Sequence, residues 1–312
     1  MMTEAFSIRK PVKKINKRIL RANLVLYTMF IPVIIQFAVF HIVPFSGYIM
    51  AFQDYKMMKG ISGSPWVGLY NFTLMFSNSG FRRVVLNTLK ISILGIITGF
   101  PMPIIFALLL NEVTNQRYKK AIQTAVFMPH FLNWTVVGTF VVMIFSEETG
   151  LLNRFIEMLG GTRTAFLYDE KSWLVIFLGT GIWKSSGFGA VLYLAAIAGV
   201  SVDQYEAATL DGATRIQKTW YVTIPSILPI IMIKLIMSVE GIMGVGFEQI
   251  YVMSNNAVSN TSKVIGLFSY DAIKQGRNFG ITTAMNVVEC TMGFVMMVIV
   301  NRLCRNTGNQ LW

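Results

Sequence analysis

Residues 206–225 read EAATLDGATRIQKTWYVTIP, a polar stretch set between two long apolar runs. Just before it, Asp203, Gln204, Tyr205 and Glu206 can cap and begin a short helix. Ala207, Ala208 and Leu210 form an apolar stripe beside Tyr205, able to enter a groove on a partner. Asp211 follows, and Gly212 supplies the turn that ends the helix. Ile224 and Pro225 open the next apolar run, where proline in a first helical turn costs nothing. The same features also fit an ordinary amphipathic connection.

The runs on either side set the class. Of 312 residues, 54% are hydrophobic and 13% charged, and the mean hydropathy is +0.56. A soluble domain carries roughly 25% charged residues, so the main solvent of this chain is lipid. A helical span needs about 20 apolar residues. The chain is therefore expected to be an all-α polytopic membrane protein with six transmembrane helices, at about 22–46, 84–110, 122–145, 172–198, 227–249 and 280–304. They form one transmembrane domain over 22–312, behind a basic tail at 1–21. Prolines at Pro32, Pro44, Pro101 and Pro103 mark kinks. Glycines such as Gly95, Gly181, Gly187 and Gly244 let helices approach closely.

The net charge of +12 does not point to nucleic acid. Arg9, Lys10, Lys13, Lys14, Lys17, Arg18 and Arg21 all precede the first span, which reads as a positive-inside signal and a contact for anionic lipid, or as a solvated tail that only sets topology. With that end cytoplasmic, the loops at 111–121 and 199–226 and the C-terminus are cytoplasmic too. The loop at 146–171, with Glu147, Glu148, Glu157, Asp169 and Glu170, falls outside. Lys56, Lys59, Arg82 and Arg83 in the first outer segment run against this rule, but long segments are less constrained. No cleavable signal pattern is expected, so the first apolar run is read as a retained helix.

Nothing suggests catalysis, a metal or a cofactor. Gly179-Thr-Gly-Ile-Trp-Lys184-Ser185 lacks the glycine before the lysine of a phosphate-binding loop and lies inside an apolar run. His41 and His130 are isolated, and Cys290 and Cys304 form no disulfide framework.

The spacing Glu-Ala-Ala, three residues, Gly, nine residues, then Val222-Thr-Ile-Pro225 resembles the cytoplasmic coupling loop of permease subunits of bacterial ABC importers. Other segments agree: Trp66-Val-Gly-Leu-Tyr-Asn71-Phe72, Phe106 to Glu112, Gln123 to His130, Tyr193 to Gly199, Gly246-Phe-Glu-Gln249-Ile-Tyr251, and the closing Leu311-Trp312. Within that group the chain is similar to the LplB-type oligosaccharide permeases from about residue 22 onward. It departs over 263–280, where Leu267-Phe-Ser-Tyr-Asp271 replaces an Asp-Thr-Tyr-Val-Tyr-like run.

The resemblance implies a multi-pass protein of a bacterial cell membrane with both termini cytoplasmic. It implies coupling through Tyr205, Glu206, Ala207, Ala208, Leu210, Asp211 and Gly212. It also implies three kinds of partner: a second permease subunit in a heterodimer, a cytoplasmic ABC ATPase dimer and an extracytoplasmic solute-binding protein. The substrate implied is an oligosaccharide, moved by alternating access. A non-sugar solute, an ATPase-independent secondary transporter and an intramembrane enzyme are the rivals.

A charged side chain inside a span is a functional hypothesis by default. Lys184 lies near the centre of the fourth span, with Glu240 and Glu289 at comparable depth or a residue of another subunit as partners, so it either fixes helix register or lines a cavity. Sugars call for aromatics beside small polar groups, hence Trp183, Ser185, Ser186, Phe188 and Ser238. By position relative to the coupling loop, Ser185, Phe188, Ser238 and Ile242 fall where related sugar permeases line their cavity. Trp134 is a weaker candidate.

Overall fold

The computed structural model describes residues 23–240, 244, 246–276 and 279–305. The basic tail, Ile242, Leu311 and Trp312 lie outside the described residues, as does the side chain of Glu240. Among the described residues the chain is helical, with one isolated β-bridge, and five helices are long and apolar enough to cross a membrane. A sixth crossing is added if one bent pair counts as a span. The chain divides into two units, residues up to Ile49 and residues from Met50 onward.

In the first unit, α1 (Leu24–Phe37) runs into a π turn at Ala38–Ile42 and then a short helical turn at Val43–Phe45. Pro44 sits two residues beyond the π turn. A proline ring clashes with the carbonyl four residues back, and the wide turn contains that residue, Phe40. His41 stacks on Phe37 of the same helix at 4.8 Å.

The second unit begins with a segment pinned by the Trp66–Phe72 motif. Gln53 and Trp66 pair as the β-bridge, Phe52 stacks on Trp66 at 5.6 Å, and Gly68 takes φ +59°. Asn71, on α2 (Tyr70–Ser77), is 1% exposed and donates to the carbonyls of Ala51 and Gln53 at 2.9 Å each. This motif is thus a structural clasp that satisfies buried carbonyls.

Next, α3 (Ser79–Gly99) and α4 (Pro101–Glu112) together make a 34-residue apolar span, jointed where Pro101 opens α4. The expected third span at 122–145 is not one rod. α5 (Gln116–Phe127) ends in a tight turn at Met128–Phe131, and α6 (Trp134–Phe145) leaves at 104°. Pro129 has no N–H to continue the helix. Leu132 is extended, and the Asn133 side chain caps the new helix by accepting from the Val136 N–H at 2.8 Å.

α7 (Leu151–Met158) is short and amphipathic. The 29-residue α8 (Glu170–Ala198) follows, its first turn capped by Asp169. The N–H and hydroxyl of Ser172 hold the exposed Asp169 carboxyl below the usual carboxylate range, so the cap stays charged until pH falls through that lowered value. Beyond α9 (Val202–Leu210), the fifth span differs from its expected 227–249. Its main helix, α10, covers Ile224–Glu240, Gly244 and Gly246 are not helical, and α11 covers Phe247–Met253, with 241–243 and 245 outside the described residues. α12 (Ile265–Lys274) and α13 (Phe279–Arg305) complete the described chain.

Three apolar clusters hold the second unit together. One joins Phe81 and Val84 to Ile265 and Met285, a second surrounds Trp173, and a third packs Ala107 against Ala190, Tyr193 and Ile227. The Trp173 indole N–H donates to the Met253 carbonyl at 2.7 Å, fixing α11 against the start of α8. α8 is about 44 Å long at 1.5 Å per residue, so it separates that end of the unit from the loop that follows its C-terminus.

Candidate coupling surface and translocation site

The loop beyond α8 folds as its composition demands, with one change of residue. The cap of α9 is Ser201, whose hydroxyl accepts from the Asp203 N–H at 3.2 Å, and not Asp203 itself. At the other end Gly212 takes φ +75°. The Ala213 N–H then reaches the Ala208 carbonyl at 2.9 Å and the Gly212 N–H reaches Thr209 at 3.0 Å. Thr214 and Gln217 form a reciprocal capping box on the short helix Arg215–Lys218, which passes into a π turn at Thr219–Thr223. Arg215 meets Glu112, the last residue of α4, at 3.8 Å.

The expected stripe is divided between two faces of α9. Glu206, Ala207, Leu210, Asp211 and Gly212 are exposed, and Leu210 is 89% exposed. Tyr205 and Ala208 turn inward, and the Tyr205 hydroxyl lies 2.9 Å from Thr223 Oγ1. Val202, 67% exposed, joins Glu206 and Leu210 at i, i+4 and i+8. Sequence reasoning passed over Val202, which this spacing could have found. The result is an apolar edge carrying one carboxylate, with a stop at Gly212.

Between α3, α8 and the end of α10 lies a cavity of about 420 Å³. Ser185 and Ser238, expected on the substrate path, both line it, and so does Trp134. Each serine hydroxyl already donates within its own helix, Ser185 to Gly181 and Ser238 to Leu235 at 2.7 Å, leaving oxygen lone pairs to accept. Gln249 was not anticipated, although the Gly246–Tyr251 motif contained it. It lines the same cavity, with its amide nitrogen donating to the Phe177 carbonyl at 2.7 Å. Ser92 lines it too, its hydroxyl without a partner among the described residues.

Lys184 and Phe188 sit differently from either serine. The Lys184 ammonium donates to the His130 carbonyl at 2.9 Å and lies 5.3 Å from the centre of the Trp134 ring. Phe188, one turn on, stacks on the His130 ring at 4.2 Å and 7°. The two residues thus hold the break between α5 and α6, where Pro129 and the extended Leu132 leave carbonyls without helical donors. No ion pair joins Lys184 to Glu289 among the described residues. Trp183 is half exposed and borders apolar depressions on the other side of α8, away from the serines.

A family described as "binding-protein-dependent transport system inner membrane component" matches residues 99–307. The polygalacturonan/rhamnogalacturonan transport system permease protein YteP of Bacillus subtilis (strain 168) is 36% identical over 286 residues, covering 91% of this chain and 89% of that protein. Protein LplB of the same organism is 35% identical, covering 91% and 90%. Among solved structures, a bacterial alginate ABC transporter in complex with an alginate pentasaccharide-bound periplasmic protein has a chain 34% identical, with TM-score 0.86, covering 94% of this chain and 98% of that one. The fold, the exposed edge of α9 and the match over two thirds of the sequence lead to one conclusion: the chain belongs to the family of binding-protein-dependent transport system inner membrane components.

Proposed function

We propose that this protein is one of two permease subunits of an ATP-driven importer that moves an oligosaccharide bearing carboxylates across a bacterial cell membrane. Residues 22–312 act as its transmembrane domain, with the tail at 1–21 and both termini cytoplasmic. α9 docks on a cytoplasmic ATPase dimer, and a solute-binding protein delivers the substrate at the opposite end of α8. The mechanism is alternating access, and the chain itself makes no covalent bond. A transporter working without an ATPase would have no use for an exposed edge such as Val202, Glu206 and Leu210.

The observation that supports the substrate class best is Lys184, whose ammonium lies 5.3 Å from the Trp134 ring in the wall of the serine-bearing cavity and forms no ion pair among the described residues, which exclude the Glu240 side chain. A lysine at the centre of a span costs roughly 2.5–3.5 kcal/mol on insertion scales, and a passing carboxylate would offset part of that cost for the half-buried Lys184. Arg82, Arg83 and Lys263, at the end opposite α9, also form no ion pair among the described residues; Arg83 donates to the amide oxygen of Asn260 at 3.0 Å. Ser185 and Ser238 flank this path and Phe188 lies one turn from Lys184, whereas Trp183 faces the other side of α8.

The test is uptake by the assembled complex in proteoliposomes. Lys184→Gln is expected to lower import of a uronate oligosaccharide about tenfold or more, the scale of a lost charge-assisted hydrogen bond. Import of a neutral oligosaccharide of equal length should change little relative to wild type. Equal losses for both sugars would reject the carboxylate preference.

Orientation is tested by labelling intact cells with an impermeant thiol reagent. Met58, 97% exposed, should react when replaced by cysteine, and Ile216, 72% exposed, should not. Reaction at position 216 alone would invert the topology.

A further inference from the structure

Three hydrogen bonds tie α9 to the segment that follows it. Ser226 donates to Gln204 Oε1 at 3.4 Å, the hydroxyls of Tyr205 and Thr223 meet at 2.9 Å, and the Lys218 ammonium donates to Thr209 Oγ1 at 2.8 Å. The first and third are exposed. The middle one is different, because Thr223 is 3% exposed and Tyr205 is half-buried. A hydrogen bond with one partner buried is less open to exchange with water than a surface one.

Thr223 is also the last residue of the π turn at Thr219–Thr223, where the Ile224 N–H bonds to the Thr219 carbonyl. A π turn holds one residue more than an α turn and is often found at functional positions. One extra residue turns everything beyond it by about 100° around the axis. The sequence supplies the cause. Pro225 stands two residues past the turn, as Pro44 stands two past the π turn in the first span. In both, the residue whose carbonyl the ring would strike, Tyr221 or Phe40, lies within the widened turn. From Thr223, α10 runs unbroken for about 22 Å to Ser238 in the wall of the cavity.

We infer that the Tyr205–Thr223 hydroxyl pair is the positioning link that delivers movement of α9 to α10, and through α10 to the cavity. Neither side chain touches substrate. The outer edge of α9 meets the ATPase, and its inner edge grips the π turn that leads into α10. The inference rests on the reading of α9 as the docking helix.

The experiment counts ATP hydrolysed per oligosaccharide imported, in the assembled complex with its binding protein in proteoliposomes. Tyr205→Phe and Thr223→Val should each raise that ratio about fivefold, the scale of one lost hydrogen bond. Thr223→Ser, which keeps the hydroxyl, should stay within about twofold of wild type on the same scale. The double variant Tyr205→Phe with Thr223→Val should be no worse than Thr223→Val alone, because Thr223→Val already removes the shared bond together with the donation of the Thr223 hydroxyl to the Lys218 carbonyl at 3.4 Å. An unchanged ratio accompanied by a lower thermal midpoint would make the pair a purely structural tie and overturn the inference. A double variant equal to the product of the singles, or Thr223→Ser as uncoupled as Thr223→Val, would overturn it as well. If the wild-type complex shows no stimulation by the loaded binding protein, the docking assignment of α9 fails first and takes this link with it.

Discussion

Glu206→Lys is expected to abolish import and substrate-stimulated ATP hydrolysis while leaving the chain inserted and folded. The Glu206 side chain is exposed on α9 and enters no ion pair among the described residues, so its reversal removes nothing that holds the fold. What changes is the face offered to the partner. A like-charge contact at a docking edge costs several kcal/mol, equivalent to more than about a hundredfold in affinity. Gly212→Pro should reach the same end by a different route. Proline fixes φ near −65° and Gly212 needs +75°, so the turn that ends α9 cannot form. Uptake by proteoliposomes and ATP hydrolysis are the readouts, with membrane insertion checked by fractionation. Normal transport by Glu206→Lys would remove α9 from the coupling role.

Much of this arrangement is legible in the residues, and what is not has identifiable causes. The spans appear where apolar runs exceed about 20 residues, and α9 ends at Gly212 because no other residue type there takes positive φ cheaply. Local pattern failed where one residue overrides a run. Hydropathy continues smoothly through Pro129, yet the missing N–H there and the Asn133 cap turn the chain by 104°. Lys184 shows the same break from another side, and its pairing with Glu240 cannot be read because that side chain lies outside the described residues. A lysine in a span demands a partner, and the sequence offers carboxylates as the obvious ones. Among the described residues the amine meets the His130 carbonyl, freed by a break that sequence periodicity does not reveal. Tyr205 looks apolar beside Ala207 and Ala208, and only the fold shows its hydroxyl turned toward a residue 18 positions on.

The same break makes Gly187 the most sensitive position of α8. Gly187 is buried, and a Cβ placed on it would overlap the carbonyl oxygen and carbon of Val126, near the end of α5. Those are backbone atoms of a helix already held by Lys184 through the His130 carbonyl and by Phe188 through the His130 ring, so they have little room to retreat. Overpacking a tight site costs typically 1–3 kcal/mol and occasionally more. Here the strain falls on the joint itself, so Gly187→Ala is expected to lower the thermal midpoint of the complex and to cut import about tenfold or more. Gly187→Val should prevent assembly. Two turns earlier on the same helix, Gly179 has nothing within 4 Å of its added Cβ. Gly179→Ala is therefore expected to match or slightly exceed wild type, because alanine favours a helix by about 1 kcal/mol over glycine. If Gly187→Ala matched Gly179→Ala in both midpoint and uptake, the close approach of α8 to α5 would not be what holds the broken span.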